Sequence, residues 1–198
     1  MSLGLLLLSG CNQNPLLVKR SICPAVAVPN YTGEVTLFGP GGNGDASNID
    51  VVAAITNVRG ACVEEAEKLD NNVTFDVLAR RTSSIGARTL VLPFFATIVQ
   101  GGNLLVSKQL GQVTINFADG QIRAQAAGAA HAQVSRAAAT LKPETQAKIT
   151  RVRKPGDLDA ATDPLADPEV KAAIRATTFE VLVGFQLDDD ALAYNAAK

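Results

Sequence analysis

The chain has 198 residues, enough for one domain of ordinary size with a substantial apolar core. A formal charge of −1, with 19% charged and 47% hydrophobic residues, provides no global field for a polyanionic partner and excludes wholesale disorder. With no Trp and only two Tyr, aromatic platforms for stacking bases are scarce, so a nucleic-acid reader is not expected.

Residues Leu3 to Leu8 form a short apolar run that passes through the small residues Ser9 and Gly10 to Cys11. This is the shape of an export signal cut before the cysteine, so residues 1–10 read as a signal peptide. The stretch Leu8, Ser9, Gly10, Cys11 resembles the lipobox of bacterial lipoproteins. By that resemblance Cys11 carries a diacylglyceryl group with palmitate-type chains and becomes the new amino terminus. Residues 11–22 are polar at first, are broken by Pro15 and carry Lys19 and Arg20, which reads as a flexible tether. Asn12 stands where enterobacterial lipoproteins kept in the inner membrane carry aspartate. The same resemblance therefore implies the periplasmic face of the outer membrane, with the inner membrane as the alternative.

The chain has three cysteines, and lipidation of Cys11 leaves Cys23 and Cys62 as an even pair in an oxidising compartment. A disulfide between them is the expectation, with free thiols the competing reading. Two cysteines and the single, distant His131 fall short of a four-ligand zinc set, so no metal site is predicted.

From Cys23 to residue 198 the pattern is that of a mostly β domain, an antiparallel Ig-like sandwich with one or two short helices. Glu34 to Phe38 reads as a strand, followed by a glycine-rich loop from Gly39 to Gly44. Ile49 to Val58 reads as a second strand ending at a turn on Arg59 and Gly60. Val73, Phe75, Val77 and Ala79 alternate with Thr74, Asp76 and Leu78, so one face of that strand is buried. Thr89 to Gln100 is the most apolar strand. Gly101, Gly102 and Asn103 make its hairpin turn, Leu104 to Leu110 returns, and Val113 to Phe117 continues the sheet. Pro93 predicts an edge position or a bulge, because proline cannot donate to a ladder.

Alanine in the segment from Gln121 to Ala139 favours helix, while Ile122, Ala124, Ala126, Ala130, Ala132 and Val134 follow a period of two; the reading leans to strand. A helical and charged insertion is placed around 140–176. Its first helix opens on Pro143 and Glu144 and runs to Thr150; its second is capped by Asp167, starts at Pro168 and runs to about Ala176. Phe179, Val181, Val183 and Phe185 mark a closing strand, and Asp188 to Asp190 begin a terminal helix whose acidic start suits the helix dipole.

Beyond the lipobox, the stretches that carry a resemblance are Cys23-Pro24-Ala25-Val26, Gly60 with Cys62, Leu92-Pro93-Phe94-Phe95, and Leu182 to Leu187 followed by Tyr194 and Asn195. On these the chain resembles an uncharacterised family of alphaproteobacterial exported lipoproteins, over most of its length. The resemblance implies secretion, lipidation and a β-sandwich-like domain. It brings no activity or catalytic residue with it.

Candidate chemistry is sparse. His131 is the single histidine, and no Asp or Glu lies within three positions of it. No nucleophile elbow, phosphate loop or zinc-protease motif is present in the sequence. The glycine-rich stretch from Gly39 lacks the Lys and Ser or Thr of a P-loop. Asp157, Asp159, Asp163 and Asp167 could gather round Ca²⁺, but turn and cap chemistry explains them as well. The basic run Lys148, Arg151, Arg153 and Lys154 reads as a solvated face that pairs with those aspartates. No catalytic residue and no cofactor is assigned. The expectation is a lipid-anchored, non-catalytic envelope protein with a structural or binding role. Its partners would be the membrane, through Cys11, and an envelope protein or polymer; the alternative is a hydrolase or other enzyme acting on an envelope polymer.

Overall fold

The computed structural model describes residues 20–42 and 44–198; the leader, Cys11 and most of the tether lie outside the described residues. Among these residues the strands are β1 (Ala25–Ala27), β2 (Glu34–Phe38), β3 (Ile49–Glu64), β4 (Lys68–Arg81), β5 (Arg88–Gln100), β6 (Leu104–Phe117), β7 (Arg123–Ser135) and β8 (Phe179–Phe185). The helices are α1 (Arg136–Ala139), α2 (Pro143–Thr150), α3 (Pro168–Ala176) and α4 (Asp189–Ala197). The chain divides into two compact units: 22–140 with 174–198 make the sandwich, and 141–173 with 20 and 21 make a helical unit. The helical unit holds α2 and most of α3, with Leu141, Ile149 and Val170 as its buried apolar residues.

The sandwich has two four-stranded sheets, ordered β1-β8-β5-β6 and β2-β3-β4-β7. Neighbours are antiparallel except β1 and β8, which run parallel with Ala25 beside Glu180. Hairpins join β3 to β4 and β5 to β6, and β7 then returns to the other sheet to pair with β4 from Arg80↔Arg123 to Lys68↔Ser135. Each inner face follows from period-two patterning. Leu69, Val73, Phe75 and Val77 of β4 face Leu92, Phe94, Ala96 and Ile98 of β5 across one core.

Two aromatic–glycine pairs organise its centre. Phe75 stands opposite Gly128 on β7, and Phe94 stands opposite Gly111 on β6. The two rings then meet edge to face across the sandwich, with centroids 5.0 Å apart. The alanine-rich segment is thus a strand whose inward positions, Ala124, Ala126, Gly128, Ala130 and Ala132, are kept small to receive these larger neighbours.

Three sequence expectations are corrected. Arg59 and Gly60 do not form a turn: β3 runs on to Glu64, and the mismatch is absorbed by a bulge between Thr56 and Arg59, where Asn57 takes φ 52°. Pro93 lies on a central strand, not at an edge. It is tolerated because the β5–β8 ladder stops at Phe94↔Phe185, so the missing N–H falls just past its end, while Pro93 O still accepts from Gln186 N at 2.9 Å. The expected strands 104–110 and 113–117 form one strand, β6, continuous through Gly111. Helix boundaries agree with the cap residues: Asp167 Oδ1 accepts from Glu169 N at 2.8 Å ahead of α3, and Asp188 Oδ1 from Ala191 N at 2.8 Å ahead of α4.

Arg81 is a feature with no local sequence signature. Only 3% exposed, it donates to the carbonyls of Gln121 (2.7 Å), Gly86 (2.8 Å), Ser84 (2.9 Å) and Ala118 (3.0 Å). Its guanidinium also lies 5.1 Å from the centre of the Phe117 ring. One side chain thereby fixes both loops at that end of the sandwich, 82–87 and 118–122.

Candidate functional site

The structure joins Cys23 to Cys62 in a disulfide across a separation of 39 residues. Cys62 belongs to β3, so the bridge ties the segment leading into β1, in one sheet, to a strand of the other. It does not join two loop ends, because the turn expected at Arg59 and Gly60 is absent. Cys11 lies outside the described residues.

His131 acquires an acidic partner that the local sequence does not contain. On the outer face of the β4–β7 pair its Nε2 is in close contact with Asp70 Oδ1, while Gln133 Nε2 donates to Asp70 Oδ2 at 3.3 Å and Lys68 Nζ lies at 3.8 Å. Desolvation pushes the Asp70 carboxyl up. The hydrogen bonds from His131 and Gln133, with the charges of a protonated His131 and of Lys68, outweigh it and hold the group below the usual aspartate range. A carboxylate-oriented imidazole can serve proton transfer, but this pair sits on an exposed sheet face with His131 about half exposed.

In the helical unit the acidic and basic runs pair with one another. Arg151 contacts Asp157 at 3.3 Å and Asp159 more closely, Arg153 reaches Asp159 at 3.3 Å, and Lys148 lies 3.7 Å from Asp167. Asp163 and Asp167 are occupied as caps, each accepting a backbone N–H at 2.8 Å. The hydrogen bond from Arg151 lowers the Asp159 pKa, and that from the Glu169 N–H lowers Asp167. The four aspartates therefore do not converge as ligands. Among the described residues no group of three or more His, Cys, Asp or Glu side chains is placed to hold a metal.

A cleft that the sequence did not point to lies where β8 leaves the sandwich. Here α4 folds back along β2: Asn195 Nδ2 donates to Tyr31 O and Glu34 O, both at 2.8 Å, and Lys198 Nζ reaches Glu34 Oε2 at 3.0 Å. Tyr194 meets Phe38 edge to face with centroids 5.1 Å apart. Between α4, β2 and the beginning of β5 lies a cleft of about 750 Å³, within the range of small-molecule sites. Its apolar walls include Phe38, Leu92, Pro93 and Leu187, and its polar groups include Gln186, Asp188 and Asp190. Gln186 Oε1 is buried without a hydrogen-bond partner among the described residues.

Among the described residues no His, Cys, Ser, Lys or Arg lines this cleft. A buried free acceptor beside carboxylates suits a guest with an apolar body and an amide or amine donor. The arrangement is suited to holding such a group. Its signal in the sequence was slight: Gln186 directly after the closing strand, and Asn195 within an alanine-rich helix.

The cleft and Cys23 lie at opposite ends of the sandwich. Ala25 pairs with Glu180 at the start of β8, and Gln186 follows its end, a run of six residues or roughly 20 Å of strand. Comparison with protein-family models, with curated proteins and with solved structures finds no match.

Proposed function

We propose that the protein is a lipid-anchored, non-catalytic lipoprotein on the periplasmic face of the outer membrane, where it binds or supports an envelope component. The observation that carries this reading is the state of the cysteines. Cys23 and Cys62 are bonded to each other, which leaves Cys11, at the end of the lipobox, as the one remaining thiol among three cysteines. Two further features support it. No helix among the described residues is long and apolar enough to cross a membrane, so this reading assigns attachment to the lipid. The cleft beside α4 lies at the end away from Cys23, where a partner could reach it while the chain is held at the other end.

The test is metabolic labelling with palmitate, followed by separation of inner and outer membranes on a density gradient. The parent is expected to incorporate label and to travel with outer-membrane markers. Cys11→Ser should lose the label and either leave the membrane fraction or accumulate as an uncleaved precursor. A Cys11→Ser protein labelled and fractionated like the parent would overturn the assignment.

A further inference from the structure

From the register of the sheet containing β1 we infer a second, weaker membrane contact: the tip of the β5–β6 hairpin, Leu104, Leu105 and Val106, dips into the bilayer that holds the lipid. The inference rests on the proposed anchor at Cys11. One row of backbone pairing crosses the whole sheet: Ala25 beside Glu180, Glu180 beside Val99, Val99 beside Leu105. Strands are spaced ~4.8 Å apart, so Leu105 lies roughly 14 Å across the sheet from Ala25. Cys23 stands two residues before Ala25, and the parallel pairing of β1 with β8 sends the preceding chain out at this same end. The hairpin turn Gly101–Asn103 projects there too.

Cys23 follows Cys11 by twelve positions, a span of at most ~40 Å even when fully extended. An anchored chain therefore keeps this end of the sandwich within reach of the lipid surface. The cleft end lies roughly 20 Å farther along the strands, so it comes to the lipid only when the tether is well extended.

The side chains at the tip fit that surface. Leu104, Leu105 and Val106 are three consecutive large apolar residues, exposed at 58%, 58% and 52%. Isolated exposed leucines are ordinary, but a run of three at a hairpin tip on an edge strand is an interaction or aggregation hazard unless something covers it. Charge does not drive the contact, because the signs at this end balance: the Arg175 side chain lies against Gly101 in the turn. Across this end the β3–β4 turn carries Glu64, Glu65 and Glu67, of which Glu64 pairs with Arg136 and Glu65 with Lys68. The partner is thus a zwitterionic phospholipid surface reached by apolar contact, not an anionic one reached by cations. Such a contact is too small to bind a free domain stably. The tether makes it intramolecular, and the high effective concentration lets it set the orientation of the sandwich.

The chain contains no Trp, so single tryptophans report position without background. The full chain, lipidated in its host, would be reconstituted into phosphatidylcholine vesicles with brominated acyl chains. One variant carries Leu105→Trp and another Ile85→Trp, the latter exposed at 87% in the loop at the far end. Both should float with the vesicles. Leu105→Trp emission should shift to the blue and lose most of its intensity to bromine, as expected for insertion ~5–10 Å into the headgroup boundary; Ile85→Trp emission should do neither. Flotation with both tryptophans equally unquenched would overturn the tip contact and leave the anchor standing. Failure of either variant to float would overturn both. A blue shift that rises with protein density on the vesicle, without bromine quenching, would place a second copy of the chain over the tip and also overturn the proposal.

Discussion

Gly128→Ala tests whether the centre of the sandwich is as tightly interlocked as the paired rings imply. A Cβ built on Gly128 would lie 2.3 Å from Phe75 Cζ and 2.4 Å from Cε2, closer than side chains approach one another. The ring has little room to withdraw. Phe94 packs against it at 5.0 Å, and Phe94 in turn covers Gly111, where a Cβ would lie 2.4 Å from its Cζ. Overpacking of this kind costs about 1–3 kcal/mol, and replacing glycine within a strand returns about 0.5–1 kcal/mol. The net loss should centre on about 1 kcal/mol, with about 2.5 kcal/mol as its upper bound, or roughly 2–4 °C of thermal midpoint at the centre for a chain of this size. Thermal unfolding followed by far-ultraviolet circular dichroism measures it directly. Because both groups meet at one ring, Gly128→Ala combined with Phe75→Leu should lose less than the sum of the single variants, with a coupling of about 0.5–3 kcal/mol. An unchanged or raised midpoint for Gly128→Ala, or strict additivity in the double variant, would refute the interlock.

Replacing Arg81 with Met removes the donor shared by four loop carbonyls and should cost about 2–4 kcal/mol in chemical denaturation. Arg81→Lys should recover little of this, because a compact ammonium cannot reach four carbonyls as a guanidinium fork does; backbone amides of 82–87 and 118–122 should exchange faster in both variants. Loss of the Cys23–Cys62 bridge, which closes 39 residues, should cost about 4 kcal/mol in the chain-entropy account, and thiol counting on the denatured, unreduced protein should find neither sulfur reactive in the parent. The Asp70 carboxyl is held below its unfolded value, so its contribution is fully present above the unfolded pKa of ~3.9 and is lost as pH falls through the lower folded value. Asp70→Asn should flatten the fall in thermal midpoint below about pH 4, and a slope identical to that of the parent would show that the His131 contact does not stabilise the fold.

How far the sequence discloses this architecture depends on the range over which each signal acts. Strands β4 and β8 are written in local alternation, the β5–β6 turn in Gly101, Gly102 and Asn103, and the starts of α2 and α3 in Pro143 and in Asp167 with Pro168. Each of these is decided within a few residues. Arg59 and Gly60 mislead because a bulge and a turn draw on the same residues, and only pairing with β4 separates the two outcomes. Pro93 misleads because its fate depends on where β8 stops. Arg81, the meeting of His131 with Asp70, and the cleft beside α4 are invisible locally. Their partners lie far away in the chain, up to 61 residues for the histidine and 164 for Asn195 with Tyr31. The disulfide was accessible through parity, although the strand that receives it was not.

The position of that bridge also sets how the domain bears tension. A pull on the chain upstream of Cys23 would otherwise load β1, a strand of three residues at the edge of its sheet and the weakest handle on the fold. The sulfur link diverts the force through Cys62 into β3, which is flanked by β2 on one side and by the long β4 on the other. Mechanical load arriving from the amino-terminal side is thereby shared between the two sheets and spread over the most extensively paired part of the sandwich. Reduction would return all of it to β1, so the same pull that the oxidised domain withstands would peel the reduced one open from its first strand.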